Sequence, residues 1–89
     1  MNDQMIVKIE TMLDKLKQKP VKIGQSGFII NQFFIDKLMY KIQSDILNLR
    51  DAKREEYLSL NLNQVYQVEI GVNKIKFFLD NDTEIEISL

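Results

Sequence analysis

The 89-residue sequence predicts an α+β domain. Its elements in order are an N-terminal helix, a short β-hairpin or glycine loop, a long central helix, and a C-terminal three-stranded antiparallel meander packed on the helices. Three observations predict this. Apolar residues recur at spacings of three and four over residues 2–18. Residues 31–60 carry an apolar stripe of helical period without Pro or Gly. Residues 65–89 alternate apolar and polar. Side chains repeat about every 3.6 residues on a helix and every two on a strand, so these periods distinguish the elements. No linker, internal repeat or low-complexity run is visible, and residues 1–89 read as a single domain with one modest core.

In the first helix, Met5, Ile9, Met12, Leu13 and Leu16 share a face. Asn2 or Asp3 caps its start, and Asp3 and Glu10 precede Lys15, Lys17 and Lys19, the polarity that the helix dipole favours. Pro20 ends it, because the residue before a proline avoids the α region. Lys15, Lys17, Lys19 and Lys22 have no acidic residue among them. They are a candidate contact for an anion, although a solvated, dipole-favoured helix end is the favoured reading.

Residues 21–30 set Val-Lys-Ile and Phe-Ile-Ile around Gly24-Gln25-Ser26-Gly27. This is a small hairpin or a loop into the next helix. It is not a phosphate-binding loop, which needs G-x-x-x-x-G-K-[ST] before a helix.

The central helix is expected over Asn31–Leu60, with Asn31 as N-cap and Ile30 and Ile35 as a hydrophobic staple. At about 100° per residue, Ile35, Leu38, Met39, Ile42, Ile46, Leu49, Tyr57 and Leu60 form one stripe. Phe33, Tyr40, Leu47 and Leu58 form a second, roughly 140° away. The second stripe suggests a covering surface, either the chain's own sheet or a second subunit. Arg50–Glu56 reads as a solvated helix end.

In the meander, Tyr66, Val68 and Ile70 share a face with Ile75, Phe77 and Leu79, and with Ile85, Ile87 and Leu89. A two-residue turn at Val72-Asn73 pairs Ile70 with Ile75 and sets Glu69 opposite Lys76. A three-residue loop at Asp80-Asn81-Asp82 pairs Phe77 with Ile85 and places Glu86 on the other side of Lys76. Phe78 then points outward among charges and is a candidate contact residue.

Composition bounds the chemistry. No apolar run reaches the length of a membrane span, and no secretory signal is read at the N-terminus. A chain without Cys fits a reducing cytoplasm. Without His or Cys, the usual neutral-pH base, thiol nucleophile and zinc ligands are missing. The acidic run Asp80, Asp82, Glu84 and Glu86 lacks the central Gly of a calcium loop. Ser26, Ser44 and Ser59 have no His partner. The reading therefore expects no enzyme, with no catalytic residue, cofactor or metal ligand. Net charge is -1, without the basic excess usual in nucleic-acid binders. A winged-helix DNA-binder is disfavoured because an uninterrupted helix occupies the place of its helix-turn-helix. No motif identifies a family, although size and composition resemble those of small phage and mobile-element proteins.

The expected function is a non-enzymatic protein-protein interaction module: an adaptor, inhibitor or assembly component. It would be homodimeric through the central helix or a C-terminal edge strand. Phe33, Tyr40, Leu47, Leu58 and Phe78 are the candidate interface residues. The alternatives are a small nucleic-acid-binding regulator using the Lys15–Lys22 cluster, and a small-molecule sensor with an apolar pocket between helix and sheet.

Overall fold

The structure, a computed structural model, describes residues 2–27, 30–53 and 57–89. Among them the chain runs α1 Asp3–Leu16, β1 Val21–Ser26, β2 Asn31–Ile35, β3 Leu38–Gln43, β4 Ile46–Asp51 and β5 Tyr57–Asn61. A 3-10 turn at Leu62–Gln64 then leads to β6 Val65–Gly71, β7 Lys74–Leu79 and β8 Glu84–Ser88.

The first helix forms largely as expected. The Asn2 side-chain oxygen accepts the Met5 N–H at 2.8 Å and caps it. Ile9, Met12, Leu13 and Leu16 are buried. The helix stops after Leu16, short of Pro20, and Gln18 adopts a left-handed φ of 65°. The Gln18 N–H then donates to the Leu38 carbonyl at 2.8 Å, and the Leu38 N–H donates to the Lys19 carbonyl at 3.1 Å. The helix end is thereby tied to the start of β3.

The long central helix does not exist. The described parts of residues 31–60 form β2, β3, β4 and β5, so the protein is mostly β, not the α+β domain with a long helix that the stripe suggests. Such a helix would be about 45 Å long; the molecule measures 30 × 29 × 26 Å. The turns that break the stretch contain no glycine. Ser44 and Asp45, with φ of 53° and 63°, form a two-residue hairpin turn that sets Gln43 opposite Ile46. Positive φ at both central residues gives the turn whose twist matches paired strands. The second break carries a buried carboxylate. Asp51, 1% exposed, accepts the Asp36 N–H and the Lys53 N–H, both at 2.9 Å. This pins the corner between β2 and β3 to the end of β4. Of the expected charged helix end, Arg54, Glu55 and Glu56 lie outside the described residues.

The glycine region is a hairpin with different bounds from those expected. β1 runs through Gly24 to Ser26, and β2 begins at Asn31. Phe28 and Ile29, expected in its second arm, lie outside the described residues. Gly27 has φ 130°, and a Cβ there would lie 2.7 Å from the Asp82 carbonyl oxygen. Only glycine combines that backbone with that approach.

The meander registers as read. Ile70 pairs with Ile75, Val68 with Phe77 and Glu69 with Lys76. Ile75 pairs with Ile87, Lys76 with Glu86 and Phe77 with Ile85. One residue departs from the register. A bulge between Val65 and Gln67 leaves Tyr66 as the extra residue. It is 66% exposed, with its ring 6.3 Å from that of Phe78, on the outer face and not in the core. A bulge of this kind adds one residue to one strand and re-aims its side chain.

The strands form a five-stranded sheet, β2-β1-β8-β7-β6, and a three-stranded sheet, β3-β4-β5. All pairings are antiparallel. Each strand neighbours the next in sequence except at β2 to β3 and β5 to β6, where the chain passes between sheets. The C-terminal strand β8 does not form the edge that the sequence suggests, because β1 pairs with its other side and places it between β1 and β7. The helix packs on β7, and its buried face joins Val21, Ile23, Leu47, Leu49, Ile75 and Phe77 in one core. At about 1.5–3 kcal/mol per buried large apolar side chain, this shared core is what joins the two sheets.

Candidate interaction surface

The residues expected to line an interface do not come together. Leu47 is fully buried in β4. Phe33 on β2 and Leu58 on β5 are half-buried and pack on the core. Tyr40 on β3 is half-buried as well, and its hydroxyl donates to the Asp14 carboxylate on α1 at 2.6 Å. Burial first, then the hydrogen bond to Asp14 and the negative charges of Asp14 and Glu10, holds this phenol well above its usual range. The second stripe was thus the inward side of several strands, and what covers it is the chain's own core. Phe78 does face outward, but it is half-buried beneath the Lys76 ammonium, 5.4 Å from its ring centroid. Lys76 pairs with Glu84 at 3.6 Å, diagonal to Glu86, which stands opposite it in the register.

The lysine cluster divides. Lys15, Lys17 and Lys19 are exposed at the end of α1. Lys22 projects from β1 on the side opposite its buried neighbours Val21 and Ile23. It belongs to the outer face of the large sheet, away from the core that α1 covers.

Sequence reasoning missed the surface of that sheet. Its alternation places Lys22, Gly24 and Ser26 of β1 outward, beside Gln32 and Phe34 of β2, Glu84, Glu86 and Ser88 of β8, and Lys74, Lys76 and Phe78 of β7. The signal is the alternation of Val21 and Ile23 with Lys22, which Gly24 and Gly27 disguise as the start of a loop. Two hollows include residues of this face, the first of them at the end of β1 and β2. One, of about 500 Å³, lies beside Pro20, Phe34, Asp36 and Leu89, with Phe34 63% and Leu89 52% exposed. The other, of about 240 Å³, lies over Gly24. A third hollow of about 190 Å³ opens between the helix start and β6, beside Met5 and Tyr66. It is the place nearest to the expected sensor pocket.

The large sheet ends at β2 and β6. β2 reads Asn-Gln-Phe-Phe-Ile, without charge, Pro or bulge, and among the described residues pairs only with β1. The Gln32 N–H is held by the side chain of its neighbour Asn31 at 2.8 Å. Ile30, just before the strand, is 84% exposed.

Among the described residues, no group of three or more acidic side chains is placed to hold a metal ion, and no helix is long and apolar enough to cross a membrane. The chain matches no protein-family model, no curated protein and no solved structure.

Proposed function

We propose that this protein is a non-enzymatic protein-interaction module that acts by strand addition at β2, with a second copy of the same chain as the first occupant. The observation that carries the reading is the uncharged, unbulged edge of β2, with the exposed Phe34 on it. Natural sheets blunt their edges with charge, proline or bulges, and an edge without them invites another strand. Self-pairing favours a strand of this composition, because a charged edge meeting itself sets like charges opposite one another. A two-fold pairing centred on Phe33 places Gln32 of each copy beside Phe34 of the other.

The nucleic-acid reading is the weaker one, since Lys22 lies on the outer face of the large sheet and the other three lysines at the end of α1, and the chain carries a net charge of -1.

The experiment is sedimentation equilibrium on the wild type and on the double variants Gln32→Lys/Phe34→Lys and Gln32→Glu/Phe34→Glu. A dimer is expected for the wild type. Each variant alone should be monomeric, since like charges across an interface cost several kcal/mol, at least about a hundredfold in affinity. A mixture of the two should recover the dimer mass. A wild type that stays monomeric at about 1 mM, weaker than roughly −4 kcal/mol of association, overturns the homodimer. So does a dimer indifferent to both substitutions.

A further inference from the structure

Gly24 stands in the interior of β1, where glycine weakens a strand and calls for a reason. The usual reasons within a chain are absent. The register runs unbroken through Gly24 on both sides, opposite Gln32 of β2 and Glu86 of β8. Its φ is not left-handed, and a Cβ there would meet no atom within 4 Å. Neither bulge, bend nor crowding explains it. The remaining reason is space for something outside the chain.

That space is the hollow of about 240 Å³, and the sheet fixes what surrounds it. Gln32 and Glu86 flank Gly24 across the strands, and Lys22 and Ser26 flank it along the strand. Ser88 and Glu84 occupy the diagonals on β8. These neighbours are polar, and Lys76 of β7, opposite Glu86, and Ile30 just before β2 complete the lining. Glu84 is already engaged, by the Ser26 hydroxyl at 3.1 Å and by Lys76 at 3.6 Å. Glu86 is half-buried yet has neither an ion pair nor a hydrogen bond among the described residues, and the Lys22 ammonium has none either. A partly desolvated carboxylate gains most from a cationic hydrogen-bond donor. One unengaged carboxylate and one unengaged ammonium stand diagonally on adjacent strands beside the bare backbone of Gly24, while Lys76, opposite Glu86, is paired with Glu84; the two unengaged charges form a dipolar frame.

The geometry points to a binding site over Gly24 for a small zwitterion of the free amino acid class. The ligand's ammonium sits on Glu86 and its carboxylate on Lys22, with Ser88 and Gln32 as further polar contacts. The volume suits such a ligand. It falls below the range of sites for drug-sized molecules. A ligand carrying only one charge would leave either Lys22 or Glu86 unmatched. The site does not depend on strand addition at β2 and is expected in a monomer as well.

The test is a titration of the 15N-labelled protein with L-glutamine, L-arginine and L-glutamate, followed by amide shifts. Propylamine and propionate serve as single-charge controls. It is run on the wild type at protein concentrations below and above those at which sedimentation shows a dimer, so that loss of the edge contact and loss of the ligand are separable. Saturable shifts at Gly24, Gln25 and Glu86 are expected with at least one amino acid, below about 10 mM. Glu86→Gln and Lys22→Gln should each weaken binding about tenfold, the loss of one charge-assisted hydrogen bond. Gly24→Val should abolish binding while keeping the thermal midpoint at or above the wild-type value, since the added side chain meets open space and valine suits a strand. Absence of any saturable shift overturns the proposal. Binding retained in Gly24→Val overturns the site, and equal binding of propylamine or propionate overturns the zwitterionic class.

Discussion

The two edges of the large sheet are built by opposite rules. β6 carries a bulge at Tyr66 and a charge at Glu69, and its outer side is occupied by Tyr66, Phe78 and Lys76 in contact. β2 has no bulge and no charge. Apolar exposure does not separate them, because Ile70 and Val72 near the turn after β6 are 43% and 89% exposed, against 63% for Phe34. What differs is whether a foreign strand could lie flat against the backbone. A bulge twists the edge and interrupts the ladder that an incoming strand would have to continue. Reactivity towards strands is therefore set residue by residue, and this sheet is closed at one end and open at the other.

The charge-swap variants at Gln32 and Phe34 are the largest expected break in that comparison. Deleting Tyr66 attacks it from the other side. It restores a flat β6, whose Val65 and Gln67 would become consecutive positions in the ladder. The variant should form species larger than a dimer, visible in sedimentation velocity, because both edges then accept strands. A stable dimer with no larger species would mean that the bulge does not guard β6. Asp51→Ala is expected to sharpen the comparison. It leaves the Asp36 and Lys53 amides without their carboxylate and frees the corner that aims β2. A loss of about 1–3 kcal/mol in urea unfolding is expected, the cost of unsatisfied buried groups. Dimerisation should weaken in parallel if the corner orients the edge.

The smallest effect belongs to Tyr40, remote from both edges. The folded protein holds its phenol proton more tightly than the unfolded chain, mainly through burial and then through Asp14. The stabilisation is full below the ordinary phenol pKa of about 10 and declines as pH rises past it, where only the unfolded state gives up the proton. Tyr40→Phe should cost about 1 kcal/mol at neutral pH and flatten that alkaline decline in a pH series of thermal melts. An unchanged decline would show that another group causes it.

The sequence made some of this legible. Helix α1 and the meander were readable because their signals are local. Asn2 lies one turn ahead of the first buried face, and Val72-Asn73 and Asp80–Asp82 punctuate clean alternation. Residues 31–60 misled because their turns are made by Asp36-Lys37 and Ser44-Asp45 and not by glycine or proline. Strands of about six residues joined by two-residue turns repeat inward positions at Leu38, Ile42, Leu49 and Leu60, which also fall on one helical stripe. The aromatic and β-branched content of Phe33, Phe34, Ile35, Tyr40 and Ile42 was the contrary signal. Tyr66 could not be placed from periodicity, because a bulge shifts alternation by one without marking the sequence. Nor could the frame around Gly24 be found, since it is assembled from β1, β2 and β8, which only the pairing of the first strand with the last brings side by side.

That pairing has a consequence for how the chain folds. Lys22 lies opposite Ser88, so the middle of the large sheet is closed by residues far apart in sequence. Contacts of such long range must overcome loop-closure entropy before they return any stabilisation, which places domains of this kind in the slow, millisecond-to-second regime. As the chain leaves the ribosome, the β1–β2 hairpin is complete while the strand that will flank it has yet to be made. Until that last strand arrives, β1 itself is an open edge, and any chaperone or neighbouring chain that meets the nascent protein meets two open edges instead of one.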